Sequence, residues 1–333
     1  MGGCVQSGFG YQYCMITEPV WRPVKSHPLG FLTGLSENFE KMEKRNPFWL
    51  ANVRHGSELF IASDYSGQKH AYQSLSFVFL AVPGNELWDS ARADFRKRWL
   101  PDGREIKYSA LNENSFQLRA LPAFLAAADS IRGLSITFLL DRKIKSVVAD
   151  HEIARLKDSS PEFAGWEIEP FEKLFRVICL LGFLVSGLSR AGQNIWWVTD
   201  QDEIVANNDR LKVVTRCFAA ITSGYLTHQL GSLRCGTNEL DERTGITRDL
   251  TSIADLVAGA LAEAWHVGSK EKSLPSRGQA SRLSKQVVPK AQQILRWLCD
   301  KDQPLKRLVC VLEARTGSTD QVLDVFWPEF RSD

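Results

Sequence analysis

The sequence lacks the cysteine patterns that bind structural zinc or build a disulfide framework. Its 333 residues include seven cysteines, which are odd in number, widely spaced and never arranged as C-x-x-C. Structural zinc sites and small disulfide-rich folds depend on close pairs or on an even set of cysteines. We therefore expect free thiols, as in a protein of the reducing cytoplasm.

Secretory signals and membrane spans are also missing from the sequence. The N-terminal stretch shows no basic segment followed by an apolar core. The most apolar run is VICLLGFLVSGL, residues 177–188, and a bilayer-spanning helix requires a longer run of about 20 residues. This run is predicted to be a buried helix, and we expect a cytoplasmic protein without a membrane partner.

A strong excess of charge of one sign is absent. The formal net charge is +2, so no global attraction draws the chain to nucleic acid. Residues 270–290 are locally basic and serine-rich, which is typical of a solvated linker or loop. An arm that contacts a nucleic-acid backbone is the alternative, because phosphate contacts need only positive charge within reach.

Several motifs of common enzymes are missing as well. The chain has no G-x-S-x-G nucleophile elbow, no Gly-Lys-Ser/Thr phosphate loop and no H-x-x-x-H pair among its six histidines. His70 and Lys69 follow an acidic strand end, where they are candidates for phosphate contacts or, more simply, solvated loop residues.

Apolar strands and amphipathic helices alternate along the chain, which is typical of an α/β fold. Strands are predicted over 57–64, 72–82, 134–141, 194–200 and 227–237, the first two as a hairpin. Helices are predicted over 84–100, 113–129, 170–190, 202–222, 249–267 and 291–300, with one more near 36–46. The expected architecture is a mixed sheet flanked by helices. We divide the chain into an N-terminal extension (1–55), an α/β domain (56–267), and a basic linker with a C-terminal helical extension (268–333).

Three aspartates occupy positions where the pattern predicts burial, and a further acidic residue, Glu105, lies just after a turn. Asp64 and Asp200 end apolar strands, and Asp255 lies on an Ala- and Gly-rich helix face. Carboxylates gathered in one pocket repel each other unless protons or a cation neutralise them. Mg²⁺ and Mn²⁺ prefer oxygen ligands and support phosphodiester hydrolysis.

Helix capping and turn formation offer an alternative role for each aspartate taken alone. An Asp after a strand is commonly a turn former or the N-cap of the next helix. Asp200 directly precedes QDEIVANNDR, which contains Asp202, and it fits such a cap. The sequence leaves both roles open, because it does not show where these side chains meet.

Four short segments resemble motifs of the family called domain of unknown function 3800. IASDYSG resembles its Asp-ended first strand, and REIKYSAL resembles its Glu-x-Lys segment. WWVTDQD is similar to its second Asp-ended strand, and TSIADLVAGAL to its Ala-Asp-x-x-Ala-Gly helix. The similarity runs from about residue 58 to 266. It implies a ribonuclease H-like fold and a divalent-metal nuclease activity.

The resemblance also implies metal ligands, a cofactor and a substrate class. Carried over by position, the implied ligands are Asp64, Glu105, Asp200 and Asp255. The implied cofactor is Mg²⁺ or Mn²⁺ and the implied substrate is RNA or DNA, and we expect Lys107 to steady the scissile phosphate. The family's usual Glu after the first Asp is Tyr65 here, and Gln68 replaces a frequent acidic residue. These departures favour the alternative, a catalytically inactive module that binds a protein or nucleic acid. A role in bacterial defence fits either interpretation by analogy alone.

Overall fold

A computed structural model describes twelve stretches of the chain, and every structural statement below concerns these residues: 19–24, 30–47, 49–112, 115–144, 161–163, 165–238, 245–274, 280–281, 284–300, 302–314, 323–326 and 329–330. Within them, the helices are α1 (Gly30–Arg45), α2 (Glu86–Trp99), α3 (Phe116–Ala128), α4 (Ile168–Leu188), α5 (Asn208–Tyr225), α6 (Ile246–Glu271) and α7 (Pro289–Cys299). The strands are β1 (Glu58–Ser66), β2 (Tyr72–Val82), β3 (Gly133–Asp141), β4 (Asn194–Thr199), β5 (Ser232–Thr237), β6 (Ala280–Ser281), β7 (Lys306–Ala314), β8 (Leu323–Phe326) and β9 (Glu329–Phe330).

Seven of the strands form one mixed sheet in the order β5-β4-β1-β2-β3-β7-β8. The first three strands are consecutive antiparallel neighbours, as the predicted hairpin requires. β4 runs parallel to β1, β5 runs parallel to β4, and β7 runs parallel to β3. The predicted class, a ribonuclease H-like α/β fold with a mixed sheet flanked by helices, is confirmed. Strands β6 and β9 pair separately.

Each face of the sheet is covered by a different set of helices. One apolar core combines side chains of α1, α4 and α5 with one face of the central strands. The other core combines α2, α3, α6 and α7 with the opposite face. Side chains alternate along a strand, so Ile61 enters the first core and Ala62 the second. Whether a residue of β1 or β4 has an odd or an even number therefore decides which helical layer its side chain meets.

The run predicted as a buried helix is the C-terminal half of α4, where every residue from Val177 to Leu188 is buried. Gly187 packs directly against the indole of Trp21, whose nearest ring atom lies 2.1 Å from the place that a Cβ would take. Among the described residues, no helix is long and apolar enough to cross a membrane.

Both ends of the chain contribute to the sheet's cores. α1 places Leu35 and Phe39 fully inside the first core, although the sequence predicts an irregular N-terminal extension with a shorter helix. β7 joins the main sheet beside β3, whereas the sequence predicts no strand there. α7 is present as predicted. The segment predicted as a basic linker begins inside α6, which continues to Glu271, and residues 275–279 and 282–283 lie outside the described part.

The helix predicted from residue 202 begins later, at Asn208. Residues 201–207 form turns instead, and the side chain of Asn207 caps the helix by accepting a hydrogen bond from the Arg210 N–H at 2.9 Å. An Asn whose side chain satisfies an exposed N–H of the first turn is a favoured N-cap. Asp200 is therefore not the cap of α5, and its side chain is available for other contacts.

Candidate functional site

Asp64 lies inside β1 and not at its end. The strand continues to Ser66, and the turn comes at Gly67, whose φ of +84° is a conformation that glycine adopts without steric cost. Alternation along β1 directs Asp64 toward the layer that contains α6 and directs Tyr65 into the opposite core. The Asp64 carboxylate therefore faces one helical layer, while the residues on either side of it anchor β1 in the other layer.

The four predicted acidic residues line one narrow cleft. Asp200 directly follows β4, which is parallel to β1 and adjacent to it, so the two carboxylates lie at the same end of neighbouring strands. Asp255 projects from α6, which packs across β1 and β2, and Glu105 lies in the loop after α2. The space that they line is about 10 Å³, close to the smallest volume that holds one water molecule. We call these four residues the acidic cleft.

Asp64 and Asp255 form the inner pair of the acidic cleft. Burial, followed by the negative charge of Asp255, raises the pKa of Asp64 well above its usual value. Burial also raises the pKa of Asp255, although a hydrogen bond from the Tyr108 backbone N–H at 2.5 Å opposes that rise. The two carboxyl groups interact directly, and this interaction raises the pKa of Asp64 and opposes the rise at Asp255. Burial and mutual repulsion therefore favour a proton or a cation at this pair.

Glu105 and Asp200 form the outer pair, and basic or amide groups neutralise them. The Lys107 ammonium lies 3.3 Å from a carboxylate oxygen of each residue. The Asn238 side-chain amide donates to Asp200 at 2.8 Å and to Glu105 at 3.4 Å. Arg248 on α6 lies 3.6 Å from Glu105. The outer pair thus already shares one cation, the Lys107 ammonium.

The electrostatics of Lys107 show how strongly the outer pair attracts positive charge. Partial burial alone would lower the pKa of this ammonium group. The carboxylates of Asp200 and Glu105 more than offset that effect, so the pKa of Lys107 is raised. The cleft therefore favours a cation at this position, and Lys107 supplies one.

The cleft has suitable donors for a metal ion, but its side chains do not surround one as they lie. Within the described stretches, no three His, Cys, Asp or Glu side chains form a group that could hold a metal ion. The donor types nevertheless suit Mg²⁺ or Mn²⁺, because the cleft offers carboxylate oxygens and no thiol or imidazole. Binding would require Lys107 to move away from Asp200 and Glu105, and it would require both members of the Asp64–Asp255 pair to be ionised.

Tyr108 is a site residue that the sequence analysis missed. It begins a short 3₁₀ turn, Tyr108–Ala110, and its hydroxyl donates to Glu263 while its N–H donates to Asp255. Its ring lies flat against Gly259, four residues after Asp255 on α6. Lys290, at the end of the basic segment, donates to the Tyr108 carbonyl at 3.0 Å. The signal in the sequence was the spacing of Asp255, Gly259 and Glu263, which places all three on one helical stripe.

Asn238 was also missed, although its position repeats a recognisable pattern. It follows β5 just as Asp200 follows β4, and the two parallel strands are adjacent. Polar residues after neighbouring parallel strands meet at one edge of a sheet. The sequence predicts the strand, whereas the residue after it is uncharged and is not among the acidic candidates.

Replacing Gly259 with Ala is expected to destabilise the protein by about 1–3 kcal/mol, the usual cost of overpacking. The new Cβ would lie 2.4 Å from the Tyr108 ring, so the ring must shift, together with the hydrogen bond that its hydroxyl donates to Glu263. Urea unfolding measures the change. Gly224→Ala is the matched control, because that exposed helical position has no neighbouring atom within 4 Å. Equal stability of the two variants would contradict the packing role of Gly259.

Other candidate residues lie outside the acidic cleft. Asp202 turns away from it and pairs with the buried Lys173 ammonium at 2.6 Å. The His70 ring stacks on His266 with ring centres 4.2 Å apart. Neither His70 nor Lys69 is among the described residues that line the cleft. Tyr65 packs into the opposite core, where its hydroxyl meets Ser63 at 2.6 Å. Tyr at this position therefore removes no oxygen ligand from the cleft.

Comparisons of the sequence with known proteins add no assignment to this geometry. A scan against protein-family models found no match, and a search of curated proteins found none either. The resemblance to domain of unknown function 3800 therefore stays a prediction that rests on the four quoted segments.

Proposed function

We propose that the protein is a divalent-metal-dependent phosphodiesterase that cleaves RNA or DNA. The observation that carries this proposal is the convergence of four carboxyl groups from β1, β4, α6 and the loop after α2 on one cleft. Structural ion pairs rarely gather four acids around so small a space, because uncompensated carboxylates destabilise the fold. A functional cation explains why the chain keeps them together.

The residues of the acidic cleft divide the work of such an enzyme between them. Its four carboxylates would hold Mg²⁺ or Mn²⁺ after Lys107 is displaced. When bound, the metal would supply Lewis-acid stabilisation of the phosphate and a more acidic water. Lys107 and Arg248 are the cations nearest the outer pair, and each can hold a non-bridging phosphate oxygen. Asn238 fixes the orientation of the Asp200 carboxylate through its amide.

A catalytically inactive binding module is the second candidate. It is favoured by the Lys107 ammonium, which occupies the position between Glu105 and Asp200, and by the missing three-ligand group in the described residues. In that case the acidic cleft is an inactive site whose charges are neutralised by neighbouring groups, and the fold binds a protein or nucleic-acid partner.

Melting temperature measured during a Mn²⁺ titration separates the two candidates. For the nuclease, Mn²⁺ binds the native state and stabilises it by about 2.7 kcal/mol at a hundredfold excess over Kd. The double variant Asp64→Ala with Asp200→Asn is expected to lose this stabilisation.

The matched control is Asp94→Asn, which removes an exposed carboxylate of α2 outside the acidic cleft. It is expected to keep the full response to Mn²⁺. Identical melting curves with and without millimolar Mn²⁺ in the wild-type protein would favour the binding module.

A further inference from the structure

A second and larger cavity lies on the same side of the sheet as the acidic cleft. Its volume is about 470 Å³, within the range of small-molecule sites. Residues of β1, β2, β4 and β5 form its floor, and the first turns of α2 and α6 form its walls. We call it the aromatic pocket and define it by six of its lining residues: Phe60, Trp196, Gly236, Thr237, Glu86 and Asp89.

The aromatic pocket and the acidic cleft are aligned along the same strands. Phe60 and Asp64 are four residues apart on β1, so they share a face of the sheet. Trp196 on β4 and Asp200, which directly follows β4, are also four residues apart. At about 3.3 Å per residue, the two sites lie about 13 Å apart. This distance corresponds to about four nucleotides of a stacked strand, so one short strand can reach both sites.

The floor of the pocket presents aligned planar groups. Phe60 and Trp196 are direct neighbours across β1 and β4, with ring planes 3° apart and centroids separated by 5.7 Å. Arg234 on β5 stacks its guanidinium on the indole of Trp196 at 4.6 Å. Cross-strand aromatic pairs stabilise sheets, but these rings are only half-buried. Gly236, opposite Val198, adds no side chain to the floor and leaves the space above it open.

Charges around the pocket favour a base over a phosphate. Glu86 and Asp89 are exposed carboxylates in the first turn of α2, where their negative charge also interacts favourably with the helix dipole. At the pocket they repel phosphate and can accept hydrogen bonds from amino groups, as acidic side chains do with cytosine N4. Arg234 covers one face of the Trp196 indole; because this side chain is exposed, it can yield that face to a base and place its charge near a backbone phosphate.

We infer that the aromatic pocket binds one unstacked base of a single-stranded nucleic acid, and that it prefers bases that carry an exocyclic amino group. This inference rests on the proposed function, because it assigns the pocket to the strand whose phosphate enters the acidic cleft. Aromatic side chains bind single-stranded bases by stacking, at about 1–3 kcal/mol per base. The acidic wall adds the preference for adenine or cytosine over uracil.

Fluorescence anisotropy of labelled short homo-oligonucleotides in EDTA tests this inference without cleavage. Wild-type protein is expected to bind oligo-A and oligo-C more tightly than oligo-U. Trp196→Ala is expected to weaken oligo-A binding about 5- to 100-fold through the loss of stacking. Gly236→Leu, which fills the pocket and leaves the rings in place, is expected to weaken it as well. Trp99→Ala is the control, since Trp99 stands against Phe116 on a different surface.

The outcomes separate this inference from the proposed hydrolysis. Unchanged binding in both pocket variants, or no oligonucleotide binding by the wild-type protein, overturns the assignment of the pocket. Metal-dependent cleavage is measured separately in carboxylate variants, so it can survive that result or fail without it. The same measurements with ribo- and deoxyribo-oligonucleotides show whether the protein prefers RNA or DNA.

Discussion

Asp200→Asn is expected to lower metal-dependent cleavage of single-stranded RNA or DNA about 10³-fold. The amide keeps an oxygen for the Asn238 and Gln201 hydrogen bonds, at 2.8 and 3.1 Å, so the loop should stay in place. It removes the negative charge that attracts a cation to the outer pair. A loss of about 4 kcal/mol of transition-state stabilisation corresponds to this factor. Release of fragments from a labelled oligonucleotide in Mn²⁺ measures it.

The control for this substitution is Asp209→Asn. Asp209 is an exposed carboxylate in the first turn of α5, paired only at the surface with Lys212, and its loss should leave cleavage unchanged. Melting temperatures of both variants show whether the fold is intact. Full cleavage by Asp200→Asn, with an intact fold, would mean that the acidic cleft does not perform the chemistry.

Local pattern was sufficient to predict the central strands and the acidic positions on them. The hairpin of β1 and β2, the strand before Asp200 and the helix around Asp255 all lie where apolar periodicity places them. These elements are long or strongly patterned, and their burial is set by the residues themselves. Parity along β1 then explains why Asp64 and Tyr65 belong to different layers.

Non-local contacts account for what the sequence did not predict. The apolar run in β7 is short, and it becomes a strand because it pairs with β3; a short apolar run alone does not distinguish strand from helix. The division of the four carboxyl groups into two pairs likewise depends on Lys107, Asn238 and the Tyr108 N–H. No spacing in the sequence encodes those distances.

The metal-free protein is expected to lose stability as pH rises, and Asp64→Asn is expected to remove that loss. In the folded chain the pKa of Asp64 is raised, first by burial and then by Asp255. Below the ordinary carboxyl pKa of about 4 both folded and unfolded chains hold the proton, and the contribution to stability is complete. As pH rises toward the raised pKa the unfolded chain releases the proton more readily, so the folded state becomes less stable. Each unit of pKa difference corresponds to about 1.4 kcal/mol.

Urea unfolding in EDTA from pH 5 to 8 checks this expectation through the difference between wild type and variant. At pH 8, Asp64→Asn should be the more stable protein, by more than the roughly 0.5 kcal/mol typical of surface substitutions. Asp255→Asn should give a similar gain, and the double variant should gain less than the sum, because each removes the same repulsion. Asp94→Asn serves as the control, and its difference from wild type should not change with pH. A pH-independent difference for Asp64→Asn would mean that burial does not raise the pKa of the inner pair.

Saturating Mn²⁺ should reverse the slope of the unfolding free energy against pH in the wild-type protein, because a metal binds only the deprotonated carboxylates.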